Sequence, residues 1–227
     1  MRRDSKTGVS LGLILMAAAA AVIIGAQVSE KESALDARVR AFLDGMRYEW
    51  EDMNVPESDG RLLYDLILKN GYKKALELGT STGHSGIWMA WALSKTGGKL
   101  TTVEIDEGRH REALANFKEA GLSEHIDARL ADAHEFVEET QGPFDFVFID
   151  ADKDWYVNYA KALIPKLEAG GCIAAHNVSP PRSGRYGGYG RGGTGGYYEY
   201  MAGLPEFETS MLTQRSSVSV SYKKKGN

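Results

Sequence analysis

Two acids close short apolar runs, and each has chemistry within reach. About 20 residues beyond Gly79, the run Leu100–Val103 ends in Glu104. An acid at the end of a parallel strand can accept both hydroxyls of a ribose. The run Phe144–Ile149 ends in Asp150, followed by Ala151, Asp152, Lys153 and Asp154. A further run, Gly171–Ala175, ends in His176 and Asn177. If neighbouring strands bring these ends together, Asp150, His176 and Asn177 form an oxygen- and nitrogen-bearing trio able to hold a divalent cation. Lys153 beside them is a candidate base.

The turn before Glu104 narrows the ligand. Residues 75–85 read Ala-Leu-Glu-Leu-Gly-Thr-Ser-Thr-Gly-His-Ser. A short strand ends in Gly79 and a helix opens near Ser85; glycine lets the backbone approach a ligand closely. A dinucleotide fingerprint needs G-x-G-x-x-G. Here Thr80, Ser81 and Thr82 separate Gly79 from Gly83, so the middle glycine is missing. The G-x-x-x-x-G-K-[ST] phosphate loop is missing as well. A ribose-binding acid without a phosphate cradle suits S-adenosylmethionine, which carries adenine, ribose and an amino acid but no phosphate. The same gap argues against an NAD-dependent oxidoreductase. A glycine turn in an unrelated α/β protein is the competing reading of these residues alone.

These groups need parallel strands to carry them, and the chain supplies them. Residues 30–48 and Asp59–Lys69 have helical periodicity. Strands at 74–78, 99–104, 126–130, 144–149 and 171–175 then alternate with helices at 85–94, 107–120, 133–139 and 155–167. Gly121, Gly142 and Gly170-Gly171 read as stops. A short helix near Tyr198–Ala202 and two strands, Phe207–Thr213 and Ser217–Lys223, follow. The pattern predicts an α/β fold: a Rossmann-like, mostly parallel seven-stranded sheet with helices on both faces and a C-terminal antiparallel hairpin.

Of 227 residues, 43% are hydrophobic, enough for a core, and the net charge of −4 gives no basic surface for nucleic acid. Cys172 is the only cysteine, so an internal disulfide and a zinc–cysteine cluster are excluded. The N-terminus differs from the rest. Arg2, Arg3 and Lys6 precede an uncharged run from Thr7 to Ser29. Residues 1–29 read as a signal peptide or an N-terminal membrane anchor, and 30–227 as the catalytic domain. Cleavage after Ala26 would put Ile24 at the −3 position, where a small residue is needed. On this reading the N-terminal segment contacts a membrane, and the domain is anchored there or, after cleavage, exported. The leading positive charges would place the domain outside, in conflict with a cytosolic supply of S-adenosylmethionine, so the side of the membrane stays open.

The segment Phe146–Tyr156 resembles the F-x-D-A-D-K-x-x-Y signature of caffeoyl-CoA-type O-methyltransferases. Met53-Asn-Val55 resembles catechol O-methyltransferase, as does Leu76-Glu-Leu-Gly79 with Gly83 and Ser85. The likeness runs from about Trp50 to Asn177, with a weaker tail to Lys223. It implies a class I S-adenosylmethionine-dependent methyltransferase acting on a hydroxyl of a small, catechol-like acceptor. It further implies that Glu104 binds the ribose, that Glu77, Gly79, Gly83 and Ser85 surround the methionine part and the turn, and that Met53 and Val55 close over the cofactor. Asp132 and Ala133 match the loop near the adenine. Asp150 matches a metal ligand, with Asn177 in the pair that follows, and Lys153 matches the general base. Relatives of this kind are often homodimers.

One position departs from that pattern. The second metal ligand is usually Asp, and here it is His176. Imidazole in place of carboxylate should weaken magnesium and favour a softer ion such as manganese, iron or zinc. The alternative is a catalytically weakened S-adenosylmethionine-binding domain that has lost its metal. Asp152 and Asp154 read as a solvated charge run, and Trp50 and Trp155 as packing or substrate walls. The low-complexity loop Ser183–Gly196, with Tyr186, Tyr189, Tyr197 and Tyr198 in or beside it, reads as a disordered insert or a flexible lid.

Overall fold

The computed structural model describes residues 33–50, 53–178, 194, 196–212 and 217–226. A helix over 33–45 (α1) leads into α2 (Glu57–Asn70). There follow β1 (Lys74–Leu78), α3 (His84–Thr96), β2 (Lys99–Glu104), α4 (Glu107–Ala120), β3 (Ile126–Leu130), α5 (Ala133–Glu139), β4 (Phe144–Ile149), α6 (Tyr156–Leu163) and β5 (Leu167–Ala175). The chain closes with α7 (Tyr197–Ala202), β6 (Phe207–Met211) and β7 (Ser219–Lys223).

The seven strands form one sheet in the order β3-β2-β1-β4-β5-β7-β6. The first five are parallel, and β7 pairs antiparallel with both β5 and β6. Chain order therefore reverses beside β1, and the carboxyl ends of β1, β2, β4 and β5 share one rim, where such sheets bind ligands. Side chains alternate across the sheet. Phe146 and Phe148 of β4 point into a core under α2, α3 and α4 with Ile87, Leu63 and Phe117. Val147 and Ile149 point into a second core under α5, α6 and α7 with Tyr156, Tyr159 and Tyr197. Both faces of β4 are buried, which is why it reads as a nearly unbroken apolar run. Helix α3 is buried from His84 to Leu93, because it lies between the sheet and α2; hence its two tryptophans and few charges.

The expected strands and helices recur, with one clear correction. The helix expected over 155–167 is regular only to Leu163, and Pro165 lies in the tighter turn Ile164–Lys166 that ends it. Strand β5 then starts at Leu167 rather than at 171. Gly170, expected as a stop, sits inside β5 at φ +83, beside the register shift between Phe144 and Phe146 on β4. A glycine at positive φ lets the strand absorb an irregularity and continue.

The proposed anchor or signal segment, residues 1–29, lies outside the described residues, as do 179–193 and 195 of the glycine-rich loop. Among the described residues no helix is long and apolar enough to cross a membrane. The expectation of a membrane-anchored or exported domain is corrected: no spanning helix among the described residues supports it. Tyr197 belongs to the second core and is fully buried, so it cannot serve as a lid.

Candidate active site

The rim is organised by the turn after β1. Gly79 has φ +94, and a Cβ there would lie 2.5 Å from the Asp150 carbonyl oxygen. Only glycine lets the ends of β1 and β4 close to this distance. The amides of Gly79 and Thr80 donate to Val103 O at 3.0 and 3.1 Å. Ser81 follows at φ 47, and its amide donates to Glu104 Oε2 at 2.7 Å. The turn is thus held against β2 by the acid expected to bind ribose.

Glu104 is 5% exposed. Its Oε1 accepts the Asp106 amide at 3.0 Å and Arg109 Nε at 3.2 Å. A carboxylate offers about four acceptor positions, and these contacts with the Ser81 amide take three. Arg109 is the partner able to swing away, since it is one-third exposed. A cavity of about 320 Å³ opens here, lined by Met53, Gly79, Glu104, Asp132, Ala133 and Asp150. Asp132 caps α5 by accepting the His134 amide at 2.8 Å, which places Ala133 at the cavity wall.

Other expected cofactor residues lie under the turn rather than at the cavity. Glu77 is fully buried; Ser85 Oγ donates to it at 2.5 Å and Thr102 Oγ1 at 2.6 Å. Thr80 and Thr102 hydroxyls are 2.5 Å apart. Burial pushes the Glu77 carboxyl up to about 8, against the pull of the two hydroxyls and with help from Asp150 and Glu104. Gly83 precedes α3 and packs against the Phe117 ring. Glu77, Gly83 and Ser85 shape the turn from below.

The segment 53–56 divides in the same way. Met53 is 65% exposed and lines the cavity, whereas Val55 is core at 3%. The Val55 carbonyl accepts His84 Nδ1–H at 2.8 Å, and Trp88 Nε1–H donates to His84 Nε2 at 3.0 Å. Trp50 stacks on the same ring, centroids 4.5 Å apart. Burial holds the His84 ring below its ordinary value, in keeping with a neutral ring that donates from one nitrogen and accepts at the other. Asn54 Nδ2 donates to Thr82 Oγ1 at 2.9 Å. Trp50 is therefore packing. Trp155 stacks on His134 at 3.9 Å.

On the far side of Gly79, β4 and β5 deliver the second constellation. The Asp150 amide donates to Leu78 O and the His176 amide to Ile149 O, at 2.9 and 3.0 Å. Lys153 Nζ pairs with Asp150 Oδ1 and donates to Tyr156 Oη at 2.9 Å. Tyr156 Oη donates in turn to the His176 carbonyl at 3.1 Å. His176 Nδ1 is 3.2 Å from Asp150 Oδ2, and Nε2 is 3.1 Å from Asp59 Oδ2. Burial alone would lower this imidazole; the Asp150 and Asp59 carboxylates outweigh it and hold the ring above its ordinary value. Asn177 stands at φ 55 on the rim with an exposed side chain.

Whether these residues fit a cation turns on His176 Nδ1, which is buried and faces Asp150 Oδ2. Two ligand atoms on one ion of the zinc class are roughly 3.0 to 3.4 Å apart, the spacing of Nδ1 from Asp150 Oδ2. His176 Nδ1 and Asp150 Oδ2 thus offer a mixed nitrogen–oxygen pair. Among the described residues no three His, Cys, Asp or Glu side chains could hold a metal ion by themselves.

A larger cavity, about 510 Å³, lies between α1, α2 and α3 against Trp88 and Trp91. Its Arg47 and Arg61 already pair with Asp44 and Glu57, and it is away from the strand ends. Sequence reasoning missed Asp59, Arg109 and His84 as parts of the site. Asp59 carries no local signal, because His176 lies 117 positions away.

A family model described as O-methyltransferase matches residues 27–180. The chain belongs to the O-methyltransferase family. Over 130 residues it is 39% identical to a catechol O-methyltransferase of Niastella koreensis, covering 56% of this chain and 58% of that protein. It is 33% identical over 147 residues to caffeoyl-CoA O-methyltransferase 1 of Eucalyptus globulus, covering 60% and 59%. The match thus spans under two thirds of these relatives' length. Among solved structures, the O-methyltransferase from Bacillus cereus in complex with SAH superposes with a TM-score of 0.67 at 26% identity, covering 85% of this chain and 91% of that one. The Rossmann-like methyltransferase fold and the family resemblance read from the sequence both hold.

Proposed function

We propose that this chain transfers a methyl group from S-adenosylmethionine to a hydroxyl of a small, catechol-like aromatic acceptor. The observation that carries the reading is Glu104, a buried acid fixed by the Ser81 amide and facing a cavity whose other wall is Asp150. Relatives named for catechol and caffeoyl-CoA, and a related structure holding SAH, support it. Glu104 takes the ribose hydroxyls as Arg109 moves aside, Met53 covers the cofactor, and Asp132 with Ala133 flanks the adenine.

The reaction is an in-line displacement. The acceptor oxygen forms a bond to the sulfonium methyl carbon as the carbon–sulfur bond breaks, its electron pair passing to sulfur. A phenol holds its proton to about pH 10, so the proton must be taken. Lys153 accepts it at Nζ. The resulting ammonium finds the partners seen here, Asp150 Oδ1 and Tyr156 Oη. Alignment of the two reactants supplies much of the remainder. Asp150, His176 and Asn177 would hold a divalent cation, which would supply Lewis-acid stabilisation of the acceptor oxyanion. A homodimer is a separate part of the proposal, read by sedimentation.

The test is calorimetric titration of the full chain with S-adenosylmethionine, followed by methyl transfer to catechol with Mg²⁺, Mn²⁺ or Zn²⁺. Turnover that is lost in Lys153→Ala is expected. Absence of cofactor binding overturns the reading; binding without turnover under every metal favours the weakened binding domain, for which the exchange of carboxylate for His176 is the motive.

A further inference from the structure

The clearest unassigned relationship is that of a buried acid on α2 to the imidazole at the end of β5. Asp59 is 4% exposed, in the first turn of α2. Ser58 Oγ donates to Oδ1 at 3.3 Å, and Oδ2 faces His176 Nε2 at 3.1 Å. A carboxylate only accepts, so Nε2 carries the proton of that contact. Nδ1 stands 3.2 Å from Asp150 Oδ2, so an ion held by both atoms would take the place of the proton that the two carboxylates otherwise favour on Nδ1. Lys153 occupies the other oxygen of Asp150, Oδ1, which leaves Oδ2 to face Nδ1. The His176 amide is tied to Ile149, so the ring is fixed from both its backbone and its outer edge.

We propose that Asp59 is a positioning residue that sets the orientation and tautomer of His176, and that the resulting site prefers Co²⁺ or Zn²⁺ to Mg²⁺. This rests on the methyltransferase reading above. A carboxylate behind a ligating imidazole fixes its tautomer and raises its basicity, and loss of such a partner costs about 10- to 100-fold in metal affinity. Imidazole suits zinc and cobalt, while magnesium keeps to oxygen.

The experiment titrates the full chain with Co²⁺, read by its visible absorption and by calorimetry, and with Mg²⁺ in competition. Co²⁺ should bind at least about 10-fold more tightly than Mg²⁺. Asp59→Asn should weaken Co²⁺ by about 10- to 100-fold while S-adenosylmethionine still binds, and Asp59→Glu should restore part of the loss. His176→Asp should shift the preference toward Mg²⁺. Nitrogen–proton correlation spectra of the wild-type imidazole with Zn²⁺ should show Nε2 protonated and Nδ1 bare, a reading that holds even where Asp59→Asn fails to fold. Equal affinity for Mg²⁺ and Co²⁺, no binding of Co²⁺, a proton retained on Nδ1, or an Asp59→Asn variant with unchanged Co²⁺ affinity overturns the proposal. Failure to bind S-adenosylmethionine would instead strike the underlying reading.

Discussion

The Ser81 amide donates to Glu104 Oε2 at 2.7 Å, and so the glycine turn and the acid proposed to bind ribose are one device. Ser81 sits at φ 47, a region that residues with a Cβ occupy uncommonly. The bond helps to hold it there. Glu104→Ala removes both the proposed acceptor for the cofactor and the anchor of the turn. The dissociation constant for S-adenosylmethionine should rise about 10- to 100-fold, the equivalent of one hydrogen bond to a charged group. Calorimetry on the full chain checks this, with melting measured alongside; an affinity changed less than about twofold would contradict it.

Glu77 gives a prediction about pH. Its carboxyl is pushed by burial from 4.5 to about 8. The folded state then holds a proton that the unfolded state releases across that interval. Stability from this group is full below about 4.5 and is lost as pH rises through about 8, a loss of a few kcal/mol. Glu77→Gln does not titrate. The difference in unfolding free energy, wild type minus variant, should fall steadily from pH 5 to pH 9 in denaturant titrations. A difference independent of pH would show that Glu77 stays ionised in the fold.

The sheet and its ligand rim were legible because their signals are local. Lys74–Leu78 with Gly79, and Phe144–Ile149 with Asp150, each declare a strand and its end within a few residues. Glu104, Asp132 and Asp150 were found because they stand where strands stop. What sequence concealed is what the third dimension joins. Val55 reads like its neighbour Met53, yet only Met53 reaches the cavity, because His84 draws the Val55 carbonyl inward. Glu77 alternates correctly along β1, but its depth under Thr80 and Thr102 depends on β2. The start of β5 was misplaced because Gly170-Gly171 ordinarily breaks a strand. Asp59 was invisible, since its partner is brought to it by the packing of α2 against the sheet.

His84 is the pin that fixes the segment carrying Met53. His84→Ala leaves the Trp88 Nε1–H and the Val55 carbonyl without their partners, and strands one face of Trp50. A buried group left unsatisfied costs about 1–3 kcal/mol, so the melting temperature should fall by roughly 2–12 °C. Met53 would lose its fixed place over the cavity. The KM for S-adenosylmethionine should rise more than kcat falls, because the reacting groups at Asp150 and Lys153 are untouched. A kcat loss with KM unchanged would disprove this division of labour.

Gly79→Ala tests whether the strand ends must close. Two costs fall on the variant, and a second glycine separates them. At Gly97 φ is +72 and nothing lies within 4 Å of a built Cβ, so Gly97→Ala pays only for backbone conformation, about 1 kcal/mol. At Gly79 φ is +94 and the new methyl meets the Asp150 carbonyl oxygen at 2.5 Å. Backbone cannot rotate away as a side chain can, so β1 and β4 must part. Asp150 moves with that carbonyl, and it is the residue that holds Lys153 and faces His176. A shift of about 1 Å in reacting groups can cost about 100-fold in rate. Gly79→Ala should therefore lose at least that much in kcat/KM for methyl transfer and melt well below Gly97→Ala. Equal melting and equal activity in the two variants would mean that the rim tolerates a wider gap than its geometry implies.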